Sequence, residues 1–151
     1  MAGIYIHVPF CKSKCTYCDF ASFPKEIGKT ESYFACLYRE IEARGRELSS
    51  KTFNTIYIGG GTPSVLNAAE LESIIEAAKS SFRISDNAEI TIECNPGSHI
   101  EELIPTFKKC GVNRVSLGMQ SAVDTERRAL GRSADRQRVK YVIDLLKSNG
   151  I

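Results

Sequence analysis

The chain has 151 residues and a formal net charge of +2, with 42% hydrophobic and 25% charged residues. This composition is typical of a globular domain, and it excludes a membrane-spanning segment and a basic surface for nucleic acid. The first ten residues lack the basic region and the cleavage site of a secretory signal, so we expect a cytoplasmic protein.

Strand-like and helix-like segments alternate along the chain. The predicted strands are rich in β-branched and aromatic residues, and the predicted helices carry apolar residues at helical spacing. We expect Asn67 to cap the second helix, and Ser98 with Glu101 to form a capping box that opens the third. In chain order the segments are a strand at 3–8, a helix at 30–48, a strand at 53–58, a helix at 67–82, a strand at 88–94, a helix from 98, a strand at 114–118, and helices at 125–130 and 136–148.

Four strand–helix units of this kind predict an α/β fold with a parallel sheet, in either a TIM-like barrel or a doubly wound arrangement. Four units do not close an eight-stranded barrel. We therefore expect the chain to be the truncated first part of a larger protein, and we expect these 151 residues to have no turnover on their own.

Three of the six cysteines, Cys11, Cys15 and Cys18, lie in a C-x3-C-x2-C loop after the first strand. Zinc ligands usually come as two pairs, and the sequence has no second pair, although His7 is a conceivable fourth ligand. Three cysteines suit a 4Fe-4S cluster with one iron left open to a non-protein ligand. A chance cluster of unrelated thiols is the third interpretation. Two other cysteines, Cys36 and Cys110, are expected to be structural residues on apolar helix faces.

Further motifs follow this loop in order along nearly the whole chain. They are YIHVPFC at 5–11, CDF at 18–20, GGGTPS at 59–64, ECNP at 93–96, RVSLGMQS at 114–121 and LGR at 130–132. Together they resemble the radical SAM superfamily and, within it, the oxygen-independent coproporphyrinogen III oxidase-like family. The oxidases of that family have a further cysteine two positions after the third, and here that position is Phe20. The CTYCDF segment is more similar to the haem chaperone branch.

The resemblance implies a partial (β/α) TIM-like radical SAM barrel. Residues 1–151 would form the N-terminal portion of its core domain, with a cluster loop at about 9–29. It also implies a 4Fe-4S cluster on Cys11, Cys15 and Cys18, with S-adenosylmethionine (SAM) bound to the open iron. The residues implied in SAM binding are Tyr5, Tyr17, Gly60, Gly61, Thr62, Glu93, Gln120 and Arg132.

Several of these residues also have a chemical reason for the role. Glu93 ends the third strand and can accept hydrogen bonds from an ammonium group, while Gln120 ends the fourth and can bind a ribose hydroxyl. Arg132 offers a bidentate fork to a carboxylate. The glycine turn at 59–61 lets a ligand lie against backbone N–H groups. Four nearby arginines are expected to be solvated helix charges: Arg127, Arg128, Arg136 and Arg138.

Three functions remain open on this basis. In the oxidase branch, the reduced cluster cleaves SAM to a 5′-deoxyadenosyl radical, which drives oxidative decarboxylation of porphyrinogen propionates. In the chaperone branch, the protein binds haem and passes it to acceptor proteins, and Phe20 favours this function. The third alternative is a zinc-stabilised domain without redox activity.

The resemblance implies three partners: SAM, a tetrapyrrole (haem or a porphyrinogen) and a one-electron donor such as flavodoxin or ferredoxin. We expect no nucleic-acid partner and identify no catalytic residue. The sequence departs from the branch pattern at Ala134, where the chaperone branch usually has a histidine. That departure puts the handling of the substrate in doubt, but not the binding of SAM.

Overall fold

A computed structural model describes residues 2–24 and 26–151, apart from the side chain of residue 27. Its strands are β1 (Gly3–Val8), β2 (Phe10–Cys11), β3 (Phe23–Pro24), β4 (Thr52–Gly60), β5 (Arg83–Cys94) and β6 (Arg114–Leu117). Its α-helices are α1 (Thr30–Glu47), α2 (Ala68–Ser81), α3 (Ile100–Lys109), α4 (Asp124–Ala129) and α5 (Arg136–Ser148).

Four strands form one parallel sheet in the order β1-β4-β5-β6. The remaining pair, β2 and β3, is a short parallel ladder within the cysteine loop. Each sheet strand is followed by helical structure, as right-handed crossover connections require. The predicted α/β fold with a partial parallel barrel sheet is confirmed.

The two faces of the sheet differ in chemistry because side chains alternate along each strand. One face is an isoleucine-rich core against the helices, with Ile6, Ile56, Ile58 and Ile92 almost fully buried. Burying each such side chain contributes roughly 1.5–3 kcal/mol. The opposite face carries polar and aromatic groups in register: Tyr5, Tyr57 and Thr91 in one row, and His7, Gly59, Glu93 and Ser116 in the next. The polar row nearest the carboxyl ends supports the site.

The helices pack on the apolar face, α1 against α2, α2 against α3, and α3 against α5. The start of α2 confirms the predicted cap. The backbone N–H of Glu70 donates to Asn67 Oδ1 at 2.9 Å, and the N–H of Asn67 donates to Glu70 Oε2 at 2.9 Å. None of the helices within the described residues is long and apolar enough to cross a membrane.

The capping box predicted for α3 is wrong. His99 is the N-cap, and its side chain makes no cap hydrogen bond within the described part of the chain. The Ser98 hydroxyl instead accepts from Ser64 at 3.0 Å, and Glu101 pairs with Arg138 of α5. Both side chains therefore bind distant residues instead of capping the helix.

Two further expectations need correction. Strand β5 begins at Arg83 rather than at residue 88, because Arg83 and Ile84 pair with the start of β4 before an irregularity in register. The polar residues 85–87 concealed this early start. Cys110 is buried as expected, but Cys36 is exposed, and its sulfur accepts from Arg39 Nη2 at 3.3 Å.

Candidate functional site

A cleft of about 240 Å³ opens beyond the carboxyl ends of β4, β5 and β6. Parallel α/β sheets place ligand-binding groups at this end because the loops after each strand converge there. Seven of the eight residues predicted to bind SAM line the cleft, and the exception is Tyr5. The structure therefore brings together side chains that are more than a hundred positions apart in the chain.

An adjoining cavity of about 130 Å³ is lined by all three cysteines of the loop. Cys11 is buried, and Cys15 and Cys18 are half-buried. The two cavities share Cys18, Gly61, Thr62, Asn95 and Arg132 as lining residues. The thiols thus lie beside the cleft that holds the predicted SAM residues.

The cysteine loop is held in shape by its own polar contacts. The backbone N–H of Cys18 donates to the Cys15 carbonyl at 3.1 Å. Lys14 Nζ donates to the Phe20 carbonyl at 2.7 Å and to Ser22 Oγ at 3.2 Å. Lys14 therefore closes the loop around the third cysteine, a role that the sequence analysis did not assign to it.

The contacts of His7 bear on its conceivable role as a fourth zinc ligand. Among the described residues, no three histidine, cysteine, aspartate or glutamate side chains form a group that could hold one metal ion. Both ring nitrogens of His7 are engaged, Nε2 with the Ala21 carbonyl at 2.8 Å and Nδ1 with the Tyr5 hydroxyl at 3.1 Å. His7 could therefore serve as a fourth zinc ligand only by giving up one of these contacts.

Thr62 contacts the first cysteine directly, with its Oγ1 3.3 Å from Cys11 Sγ. The hydroxyl can donate to that sulfur, and hydrogen bonds to ligand sulfurs are a common means of tuning iron–sulfur sites. The buried Cys94 also lines the cleft, and burial raises the pKa of its thiol to about 12. Cys94 therefore stays a neutral thiol in the protein as described.

The glycine turn approaches its neighbours too closely for side chains. Gly60 has a φ of 111°, and a Cβ on Gly61 would lie 2.6 Å from the Phe10 carbonyl. The N–H groups of Gly61 and Thr62 donate to the Val8 and Phe10 carbonyls at 2.7 and 2.8 Å. The expectation that a ligand lies against these N–H groups is therefore wrong. The Gly61 carbonyl accepts no hydrogen bond from the described residues, so an acceptor is available there instead.

Glu93 is held by two donors. Tyr57 donates its hydroxyl to Oε1 at 2.7 Å, and the N–H of Gly60 donates to Oε2 at 3.0 Å. Burial, the hydrogen bond to Glu93 and the charge of Glu93 together raise the pKa of Tyr57, so its hydroxyl remains a donor. A carboxylate has about four lone-pair sites. Glu93 therefore keeps acceptor capacity for a cation in the cleft.

The cleft is closed on its far side by Gln120 and Arg132. Gln120 lies three residues beyond the end of β6, which corrects the prediction that it ends the strand. Its φ of 68° makes it the one non-glycine residue with positive φ in the described part of the chain. Arg132 Nε donates to the Tyr17 hydroxyl at 3.0 Å, and its guanidinium lies 5.7 Å from the centre of the Tyr17 ring. This contact joins the segment after α4 to the cysteine loop.

Tyr5 lies outside the cleft and is 57% exposed. Its ring stacks on Tyr57 with centroids 6.0 Å apart. Burial, with a smaller contribution from the charge of Glu93, raises the pKa of Tyr5. Tyr5 thus contacts a residue that holds Glu93 rather than the cleft itself.

Three residues that the sequence analysis did not select also belong to the site: Tyr57, Asn95 and Ser116. Asn95 lines both cavities, and its side-chain Oδ1 accepts from the N–H of Gly97 at 2.9 Å. Ser116 is the register partner of Glu93 on β6. Counting alternate positions along the strands would have placed Tyr57 and Ser116 on the same sheet face as the cleft.

Two of the four arginines predicted to be solvated are not. The side chain of Arg127 is only 1% exposed and pairs with Asp124. Arg138 is half-buried, and it pairs with Glu101 and donates to the Pro96 and Ser98 carbonyls at 2.8 and 2.9 Å. Helix periodicity in a short segment did not reveal that these charges face tertiary partners.

The model of the radical SAM superfamily matches residues 5–151. Among curated proteins, the chain is 38% identical over 122 residues to heme chaperone HemW of Mycobacterium tuberculosis H37Rv, covering 79% of this chain and 31% of that protein. It is 34% identical over 155 residues to HemW of Escherichia coli K12, covering 99% of this chain and 40% of that protein.

Among solved structures, the chain is similar to coproporphyrinogen III oxidase (HemN) from Escherichia coli, which is described as a radical SAM enzyme. The TM-score is 0.91 at 25% identity, covering 99% of this chain and 35% of that one. The chain thus spans about a third to two fifths of the length of these relatives. It belongs to the radical SAM superfamily and, within it, to the coproporphyrinogen III oxidase-like family, where it groups with the HemW proteins.

Proposed function

We propose that the chain binds a 4Fe-4S cluster through Cys11, Cys15 and Cys18 and binds SAM beside it. The observation that carries this proposal is the shared wall of the two cavities. All three cysteines line one cavity, seven predicted SAM residues line the other, and the two cavities adjoin. The thiol donor set fits a cluster that leaves one iron open.

The described side chains have complementary chemistry for the parts of SAM. Glu93 and the Gly61 carbonyl accept hydrogen bonds from the ammonium group, and Arg132 binds the carboxylate with the donors that Tyr17 leaves free. Gln120 pairs with a ribose hydroxyl. When bound, the cluster supplies the single electron that cleaves SAM. The protein holds SAM in place and excludes water.

We further propose that the protein serves as a haem chaperone. The relatives named HemW support this function, as does Phe20 at the position where the oxidases of the family have a further cysteine. Phe20 lines the cleft and is 65% exposed, so this wall of the site is apolar and lacks a fourth loop thiol. The structural likeness to HemN keeps decarboxylation of porphyrinogen propionates as a second candidate.

The cellular location of the protein and its partners remain expectations. All six cysteines are free thiols, which is typical of a reducing compartment such as the cytoplasm. Cleavage of SAM needs a one-electron donor, and flavodoxin or ferredoxin has the right chemistry. A histidine is absent at Ala134, which is buried in the connection between α4 and α5.

The cluster is tested by substitution and iron analysis. Protein reconstituted under anaerobic conditions should be brown, with about four irons per chain. Cys15→Ser should lose most of this iron because it removes one of three ligands. Cys36→Ser is the matched control, since Cys36 is an exposed thiol outside the loop and should leave the iron content unchanged. Full iron content in Cys15→Ser, or colourless protein with one zinc, would contradict the proposal.

Because we expect no turnover from these 151 residues alone, the choice between chaperone and oxidase needs two measurements on one preparation of a chain that contains them and spans the full length of the relatives. We expect a saturable haem titration with a shifted absorbance band, and no decarboxylated product from coproporphyrinogen III in the presence of SAM and reductant. Formation of that product at one equivalent or more would favour the oxidase. Absence of haem binding would reject the chaperone.

A further inference from the structure

Arg127 is a buried charge that the proposed site does not use. Its side chain is 1% exposed, it pairs with Asp124, and one guanidinium nitrogen donates to the Ser121 carbonyl. Its Nε has no hydrogen-bond partner among the described residues. Burying an ion pair and an unpartnered donor is unfavourable, so stability alone does not account for an arginine here.

Arg127 contacts the carbonyl of Ser121, which is the residue immediately after Gln120. Every polar group of Ser121 makes a hydrogen bond. Its N–H donates to the Met119 carbonyl at 2.9 Å, and its carbonyl accepts from Arg127. Its Oγ donates to Glu126 and accepts from the N–H of Val123 at 3.0 Å. A glutamine with a φ of 68° is in an unfavourable backbone conformation. Such a conformation persists only where neighbouring contacts over-determine it.

Arg127 also connects this turn to the rest of the cleft wall. Its carbonyl accepts from the N–H of Arg132 at 2.8 Å. Its partner Asp124 accepts from the N–H of Arg136, at the start of α5, at 2.9 Å. One buried side chain thus joins the Gln120 turn to α5, and its own backbone holds Arg132.

We infer that Arg127 is a positioning residue that holds Gln120 in its left-handed conformation at the rim of the cleft. Through Gln120 it raises the affinity for the ribose of SAM, and in this respect the inference rests on the proposed function. Arg127 itself lines neither of the two cavities.

Arg127→Leu separates this role from a structural one. Leucine removes the buried charge and the unpartnered donor. Asp124 is not stranded as a buried charge, because it is 43% exposed and keeps the N–H of Arg136. The melting temperature should therefore stay equal or rise. The Kd for SAM, measured by calorimetry on reconstituted protein, should rise about fivefold, as expected for losing one well-placed hydrogen bond. Arg128→Leu, an exposed arginine on the same helix, should change neither quantity.

Two further measurements make the test decisive. In a Gln120→Ala background, Arg127→Leu should weaken SAM binding no further, because the two residues act in series. Without SAM, hydrogen exchange of residues 119–123 should speed up in Arg127→Leu and stay unchanged in Arg128→Leu. A wild-type Kd in Arg127→Leu, additive effects in the double variant, or unchanged exchange would overturn the inference. Faster exchange in a protein that binds no SAM would leave the positioning role standing and reject the proposed function.

Discussion

At Gly60 both the backbone conformation and the contacts of the site require a glycine. The residue has a φ of 111°, and a Cβ would lie 2.4 Å from the ring of His7. Its N–H donates to Glu93, so the turn that needs glycine also positions the carboxylate. Close packing explains the glycines of the motif at 59–61, and the N–H groups of Gly60 and Gly61 are already used, while the role of these residues in binding SAM stays a prediction.

Gly60→Ala should destabilise the protein by about 2–4 kcal/mol, because it combines a positive φ with a clash against a tethered ring. Gly131→Ala is the matched control. Gly131 has a φ of 75°, and no atom of the described residues lies within 4 Å of a Cβ there. Gly131→Ala should therefore lose only the conformational free energy of the positive φ, about 1 kcal/mol. Urea denaturation of the two variants measures the difference. Equal losses of unfolding free energy in the two variants would show that the clash with the His7 ring adds nothing to the destabilisation by Gly60→Ala.

At the scale of elements, helix ends show where local patterns suffice. Asn67 and Glu70 satisfy each other within one turn, so the cap of α2 depends on four consecutive residues. Ser98 and Glu101 have the same spacing, but they contact Ser64 and Arg138, more than 30 positions away. A local motif predicts a cap only where no stronger tertiary partner competes for its side chains.

The Glu101–Arg138 pair that joins α3 to α5 should make stability depend on pH. Hydrogen bonding to Arg138 lowers the pKa of Glu101 to about 2, below its ordinary value of 4.5. A depressed carboxyl pKa stabilises the folded state above about pH 4.5, and this contribution is lost as pH falls toward 2. Glu101 is 38% exposed, so we expect about 1 kcal/mol or less.

The measurement compares unfolding free energies of wild type and Glu101→Gln between pH 7 and pH 3. The deficit of the variant should be largest at neutral pH and shrink below pH 4.5. Glu42→Gln serves as the control, because Glu42 pairs with Arg46 on the exposed face of α1 and should show almost no deficit. A deficit for Glu101→Gln that does not change with pH would reject this account of the pair.

At the scale of the whole molecule, the site is assembled from segments that are distant in sequence. Tyr17 and Arg132 meet across 115 positions, and Glu93 contacts Tyr57 and Gly60 across more than 30. The parallel sheet makes this inevitable, because each strand delivers its next loop to the same end. Arg127, the buried arginine of α4, lines neither cavity but contacts the turn that carries Gln120.

The sequence by itself determined the strand–helix alternation and the three-cysteine loop, and the resemblance of its motifs to the radical SAM superfamily implied most of the residues around the cleft. The alternation and the loop depend on local spacing and on side-chain chemistry, which a sequence displays directly. Only the tertiary structure decided that the glycine N–H groups are already used, that Tyr57 holds Glu93, and that Arg127 and Arg138 are interior partners rather than solvated charges. Each of these depends on which distant groups are brought within hydrogen-bond distance, and this the folded sheet and its packed helices establish.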